Sequence, residues 1–484
     1  MTFTSAVFDV ETIELAGTRE SIVRGGRHLF PLLPTALEGV DQIGVIGWGP
    51  QGRAQALNLR DSLADTAIEV VVGLRAGSSS RAEAEAEGLR VGDWLDVVAS
   101  SQLVILLVAD AATANNHEAI FERLQPGATL GLSHGFLVGH LRTVGASFPE
   151  DVNVIGVCPK GMGDSVRRLY LQGREINGAG INASFAVHQD VDGRATERAL
   201  AWSIGLGSPY TFQTTLDSEY RSDIVGERAI LLGAVHGIVE SLYQRYRVEG
   251  DEPERAFARS AEAVTASIAP TISRDGLLGV RNAFEGEDLA AFDRAYAAGY
   301  GPFRDLVAEI YDEVDSGNEL ASVVLAGARL ATSPMQPISG SPMWAAGASV
   351  RAARQEAAAA VSDPYTAGIF LAAMVAQVDL FAERGHPWSE IVNESVIEAV
   401  DSLLPYMHAR DVAFMVDNCS TTARLGARKW GPRFSALLDQ VISPIADNGL
   451  EISVTAAKDF GQHPVHVVLE RLATLRPSVD ISVG

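Results

Sequence analysis

Between residues 42 and 187 short apolar stretches alternate with polar or amphipathic segments, at 42–46, 68–73, 103–108, 128–132, 152–157 and 184–187. Several are apolar without a strict two-residue alternation, the pattern of parallel strands covered by helices on both faces. The spacing predicts a doubly wound α/β domain. Beyond about residue 217 the pattern changes to long segments rich in Ala, Leu, Glu and Arg, at 223–248, 254–268, 287–298, 303–314, 367–384 and 388–404. Their apolar residues recur every three or four positions, which puts them on helix faces. The second half is therefore predicted to be mainly helical.

Within that half, Glu262-Ala263-Val264-Thr265-Ala266-Ser267 resembles Glu398-Ala399-Val400-Asp401-Ser402, about 136 residues further on. A duplicated helical unit explains the likeness, and so does chance similarity between two Ala-rich helices; the residues alone leave both open. The stretch 332–343, with its Pro, Gly, Ser and Met, reads as an irregular connection.

Composition narrows the functional classes. With 484 residues and 47% apolar content the chain has material for two or three cores. A formal charge of −23 argues against a general affinity for nucleic acid or anionic membranes, so any anion must be held by a local site. Only Cys158 and Cys419 are present, which excludes a disulfide scaffold and a Cys-rich zinc cluster. The stretches 229–235 and 367–378 are too short or interrupted to be trusted as membrane spans and read as buried helices. The first forty residues carry Asp9, Glu11, Glu14 and Glu20 and show no leader pattern. A cytoplasmic, bacterial setting is expected, with an organelle matrix as the alternative if a leader has been removed.

The first specific chemistry is Gly47-Trp48-Gly49-Pro50-Gln51-Gly52, between an apolar strand and a helix-like segment. Gly47 suits a tight turn, Gly49 lets backbone approach a pyrophosphate, and Gly52 permits close helix-to-strand packing. A purely structural turn is the competing reading. After the next strand come Arg75, Ser78, Ser79 and Ser80, where an NAD site commonly has an acid. Guanidinium and hydroxyl donors there favour the extra phosphate of NADPH, against the plainer reading of an exposed polar loop.

Two acid pairs form the second constellation. Asp223 and Glu227 share one helix face, and Glu394 and Glu398 repeat the spacing. Facing carboxylates of this kind suit two Mg²⁺ ions, although either pair alone reads more simply as a solvated helix face. Glu390, a turn before Glu394, is a competing carboxylate and is left as a surface residue or one standing behind the site.

With Leu132-Ser133-His134-Gly135-Phe136, Cys158-Pro159-Lys160-Gly161-Met162-Gly163 and Asp417-Asn418-Cys419-Ser420-Thr421-Thr422-Ala423-Arg424-Leu425-Gly426, the chain closely resembles the long form, class II, of the ketol-acid reductoisomerases, especially the plant type. The resemblance runs from the segment around residues 22–27 to residues 479–483. It implies an N-terminal Rossmann-type domain at 1–215 and a duplicated, knotted helical domain in units at 216–345 and 346–484. It further implies NADPH and two Mg²⁺ as cofactors. The implied reaction moves an alkyl group within 2-acetolactate or 2-aceto-2-hydroxybutyrate and then reduces the product with hydride.

The resemblance assigns NADPH to Gly47, Gly49, Gln51, Gly52, Arg75, Ser78 and Ser80, and metal to Asp223, Glu227, Glu394 and Glu398. His134 and Lys160 are assigned to the reaction centre, His134 also beside the cofactor, and Ser420 to substrate. Without it, Lys160 reads equally well as a surface charge and His134 as a loop cap. A homodimer is expected, with a tetramer as the alternative. A simple NADP-dependent 2-hydroxyacid dehydrogenase, and a nucleotide-binding protein that has lost catalysis, are the competing readings.

Overall fold

The computed structural model describes residues 2–354, 362–448 and 459–477. Two compact units divide these residues: one takes in 2–220, 319–329 and 471–477, the other 221–318 and the described part of 330–470.

The first unit is built on a ten-stranded sheet: β1 (Val10–Leu15), β2 (Thr18–Arg24), β3 (Gln42–Ile46), β4 (Glu69–Leu74), β5 (Arg90–Asp93), β6 (Leu103–Leu106), β7 (Thr129–Leu132), β8 (Asn153–Pro159), β9 (Ala183–Gln189) and β10 (Tyr210–Gln213). The order across it is β1-β2-β10-β9-β8-β7-β6-β3-β4-β5. Strands β3 to β8 are mutually parallel, and the chain order reverses between β3 and β6. This is the dinucleotide-fold order, with its switch point at the C-terminal end of β3. The run β2-β10-β9 extends the sheet past β8 with antiparallel joints at β8–β9 and β2–β10.

Side chains alternate between two cores. Leu103 and Ile105 join Ile43, Val45, Leu57 and Trp202 on one face, whereas Val104 and Leu106 join Ile46, Leu130, Leu137 and Leu141 on the other. Both faces are apolar, which is why the strands lack a polar alternation. All six predicted strands are present, the last of them, β9, running antiparallel to β8. The apolar pattern missed β1, β2, β5 and β10. β1 is an edge strand whose exposed Glu11, Thr12 and Glu14 mask its strand character. β5 and β10 have only four residues each, too few to show a period.

The second unit is helical. The predicted segment 223–248 is two helices, Leu216–Arg228 and Gly233–Val248. The chain turns between them, and a Cβ at Gly233 would lie 2.0 Å from the Arg228 carbonyl oxygen, so the turn needs glycine. Conversely, 287–298 and 303–314 fuse into one helix, Gly286–Asp315, that continues through Pro302. Buried Phe292, Tyr296, Phe303, Val307 and Ile310 hold the helix across the proline, outweighing an interruption cost of about 3 kcal/mol. Pro364–Glu383 packs on it so closely that a Cβ at Gly368 would meet the Phe292 carbonyl oxygen at 2.4 Å. That second helix is long and apolar enough to cross a membrane, and 83% of its most apolar window is buried within the protein.

The two similar sequence segments share an uncommon backbone. Ala258–Ile268 forms a π-helix, and so do Asn393–Ile397 and Ala399–Leu403. π-Helical turns are rare, and a further one, Leu438–Ile442, lies outside the two similar segments. The connection at 332–341 is irregular as expected, and helix Pro342–Ala353 follows it.

Candidate functional site

At the switch point β3 ends and Gly47 turns the chain with φ 114°, a conformation that favours glycine. A Cβ there would also stand 2.4 Å from the Leu107 carbonyl oxygen. A Cβ at Gly52 would meet the Gly47 carbonyl oxygen at 2.6 Å, whereas the space beside Gly49 is open. Gly47 and Gly52 thus serve the turn and the close packing that their spacing predicts. Gly49 caps the helix Pro50–Ser62 without any side-chain cap, and a Cβ at Gly163 would lie 2.6 Å from the Gln51 amide nitrogen in the first turn. The Gln51 side chain is engaged elsewhere, its Nε2 donating to the Gly161 carbonyl at 2.8 Å and its Oε1 accepting from Gln55. Any cofactor contact at this position would fall to the backbone.

Arg75 is exposed just after β4, and the loop folds back through the Ser78 amide donating to the Arg75 carbonyl. Ser80 stands at the N-cap of Arg81–Ala86, with no cap hydrogen bond from its side chain. The loop therefore presents a guanidinium and hydroxyls without a carboxylate from 75 to 80.

His134 follows β7 and Lys160 follows β8, at the C-terminal ends of adjacent parallel strands. Lys160 is 2% exposed, which overturns its reading as a surface charge. Its Nζ lies 3.3 Å from Glu219 Oε1, while Glu219 Oε2 lies 3.2 Å from His134 Nδ1 and accepts the Gly135 amide at 2.6 Å. Burial pushes the Glu219 carboxyl up, but the Lys160 ammonium, His134 and the Gly135 amide outweigh it and hold it well below the usual range. Gly135 has to be glycine, since a Cβ would strike the Leu216 carbonyl oxygen at 2.2 Å. The sequence reading missed Glu219. It precedes Asp223 by four residues and so opens a run of three acids, Glu219, Asp223 and Glu227, at helical spacing; that run was the available signal.

In the helical unit, Asp223, Glu394 and Glu398 each offer a carboxylate oxygen, all within 4.8 Å of one another. Glu394 and Glu398 are buried, so neither belongs to a solvated helix face. Three hard oxygen donors at this spacing suit Mg²⁺, whose charge would offset their repulsion. Glu227 stands outside that trio. Its Oε1 accepts the Ser420 hydroxyl at 3.3 Å and its Oε2 lies 3.5 Å from Arg228. The Cys419 thiol is pushed up to about 12 by burial first and then by Glu227 and Glu398, which places both carboxylates near it. Ser420 also caps helix Thr421–Leu437 by accepting the Ala423 amide. Neither Cys158 nor Cys419 is in a disulfide. Glu390 is completely buried, correcting the surface alternative.

A parallel sheet in this order with a glycine turn at its switch point is the architecture of the Rossmann-type, dinucleotide-binding proteins. Comparison with known proteins narrows the class. Residues 37–211 match the family model described as acetohydroxy acid isomeroreductase, NADPH-binding domain, and residues 216–356 match the ketol-acid reductoisomerase C-terminal domain. The chain is 54% identical over 99% of its length to ketol-acid reductoisomerase, chloroplastic, of Spinacia oleracea, covering 83% of that protein. It is 53% identical over 99% of its length to the protein of the same name in Pisum sativum, covering 85% of it. Among solved structures, an NADH-preferring ketol-acid reductoisomerase from an uncultured archaeal source superposes with a TM-score of 0.57 at 24% identity, over 65% of this chain and 95% of that one. The chain belongs to the ketol-acid reductoisomerase family.

Proposed function

We infer that the chain is an NADPH- and Mg²⁺-dependent isomeroreductase acting on 2-acetolactate and 2-aceto-2-hydroxybutyrate in branched-chain amino-acid synthesis. The observation that carries the metal-dependent half is the trio Asp223, Glu394 and Glu398, for which a simple 2-hydroxyacid dehydrogenase has no use. In the reaction the C2 hydroxyl loses its proton as an alkyl group moves from C2 to the neighbouring carbonyl carbon. The new C2 ketone then accepts hydride and a proton, giving a 2,3-dihydroxy acid.

Gly47, Gly49, Gly52 and the first turn of Pro50–Ser62 would hold the pyrophosphate of NADPH, with Arg75, Ser78 and Ser80 toward its additional phosphate. When bound, NADPH supplies the hydride. Asp223, Glu394, Glu398 and Glu227 would hold two Mg²⁺, which supply Lewis acidity toward the hydroxyl and carbonyl oxygens. Lys160, paired with Glu219 at 3.3 Å, donates hydrogen bonds from Nζ to developing negative charge. Glu219 fixes the His134 ring through Nδ1, and His134 would exchange protons or orient the cofactor. Ser420 directs its hydroxyl along Glu227 and serves as a polar contact for substrate.

A homodimer, a knotted path through the helical region, and unit boundaries at 216 and 346 belong to the same proposal. The chloroplastic names of the two plant relatives support the organelle-matrix alternative over the bacterial cytoplasm. The deciding experiment is turnover of 2-acetolactate with NADPH, with and without Mg²⁺, the product identified by mass spectrometry. A dihydroxy acid formed only with the cation is expected, and Asp223→Asn should abolish both Mg²⁺ binding and conversion while NADPH still binds. Turnover undiminished after chelation would overturn the assignment.

A further inference from the structure

One fully buried acid has no part in the reaction as assigned. Glu390 is 0% exposed, and its Oε1 receives two hydrogen bonds: from the Ser222 hydroxyl at 2.7 Å and from His386 Nδ1 at 2.7 Å. His386 Nε2 lies 2.9 Å from the Tyr311 hydroxyl. One proton arrangement satisfies the chain, with Nδ1–H donating to the carboxylate and the tyrosine O–H donating to Nε2. Ser222, Tyr311 and His386 are all buried as well.

The position of this network in the sequence gives it meaning. Ser222 is the neighbour of Asp223, and Glu390 stands one turn before Glu394. The Ser222–Glu390 bond therefore ties the helix that carries Asp223 to the segment that carries Glu394. A second tie runs through Gln377, whose Oε1 accepts the Ile230 amide at 3.2 Å and whose Nε2 donates to the Glu394 carbonyl at 3.3 Å. Backbone approach is close between the ties, since a Cβ at Gly226 would lie 3.4 Å from the Glu394 carbonyl oxygen.

A buried carboxylate is costly, and a well-packed apolar side chain at the same place is often as stabilising or more so. A polar network here makes physical sense if it fixes geometry. Asp223, Glu394 and Glu398 bring carboxylate oxygens within 4.8 Å of one another, an arrangement that like charge would oppose in the absence of a cation. We propose that Glu390 is a positioning residue which, held by His386 and bonded to Ser222, locks the two ligand-bearing segments at the carboxylate spacing a divalent cation requires. This rests on the Mg²⁺ reading of the trio.

The test uses the full chain and Mn²⁺ as the probe, its free concentration read by electron paramagnetic resonance, with NADPH affinity and acetolactate turnover measured alongside. Residues behind metal ligands typically change affinity by about 10- to 100-fold, so Ser222→Ala and Glu390→Ala are each expected to weaken Mn²⁺ binding by about tenfold or more. NADPH affinity should not move. Glu390→Gln keeps an oxygen that can accept both hydrogen bonds and should stay within about threefold of the parent. The double variant Ser222→Ala/Glu390→Ala should bind no more weakly than Glu390→Ala alone, because each single variant already removes the Ser222–Glu390 bond. A merely structural role would lower the melting temperature and leave Mn²⁺ affinity unchanged, and that result overturns the proposal. If Glu390→Ala fails to fold, Ser222→Ala decides, since it removes only a hydroxyl. A parent chain that binds no Mn²⁺ would sink the metal reading itself, an outcome distinct from parent-like binding in the variants.

Discussion

Replacing Glu219 with Gln removes the charge that stands 3.3 Å from the Lys160 ammonium while nearly preserving shape. Lys160 and Glu219 are 2% and 1% exposed at their side chains, so solvent offers the ammonium little compensation. Breaking one side of a buried pair costs about 3–5 kcal/mol, far more than the net worth of the intact pair. In a unit of this size that lowers the melting temperature by roughly 6–20 °C. The double variant Lys160→Met/Glu219→Gln removes both charges and should recover part of the loss, which a thermal scan of the three proteins would show. The pair also has a pH signature. The Glu219 carboxyl is lowered from 4.5 to about 2, so its contribution is fully present above 4.5 and is lost as pH falls through about 2. Scans between those limits should show an acid-side loss in the parent that Glu219→Gln lacks. If the single variant melts with the parent, or the double variant is the less stable of the two, the ion-pair argument is wrong.

Three further outcomes are expected. Gly47→Ala forces a side chain into φ 114° and a Cβ to 2.4 Å from the Leu107 carbonyl oxygen, so NADPH affinity by fluorescence should fall more than about tenfold, with far-ultraviolet circular dichroism unchanged. Arg75→Asp should lower kcat/KM with NADPH much more than with NADH, because a repelling acid would replace the proposed phosphate partner; an unchanged ratio would put the second phosphate in another loop. Cys419, pushed up to about 12 by burial first and then by Glu227 and Glu398, is protonated at about pH 8 and should resist iodoacetamide, so rapid labelling of that residue by peptide mass spectrometry would contradict that environment.

Six of the ten strands and the glycine turn are legible in the chain before it folds, because apolar runs and the spacing of Gly47, Gly49 and Gly52 are local properties of a short stretch. The acid pairs are legible too, since a four-residue spacing puts two side chains on one helix face wherever the helix lies. What those side chains meet is a matter of packing. Joining Glu394 and Glu398 with Asp223, but Glu227 with Ser420, depends on helices far apart in the chain. The burial of Lys160 and its partnership with Glu219 are likewise invisible in a Pro159-Lys160-Gly161 loop, because a charged residue reads as solvated until its counter-charge is found. The breaks and continuations of helices went the same way: Gly233 ended one predicted helix through a backbone approach, and Pro302 failed to end another because a buried face held it together. Local pattern sets periodicity and face, while charge pairing and helix limits are settled by neighbours that only folding brings into contact.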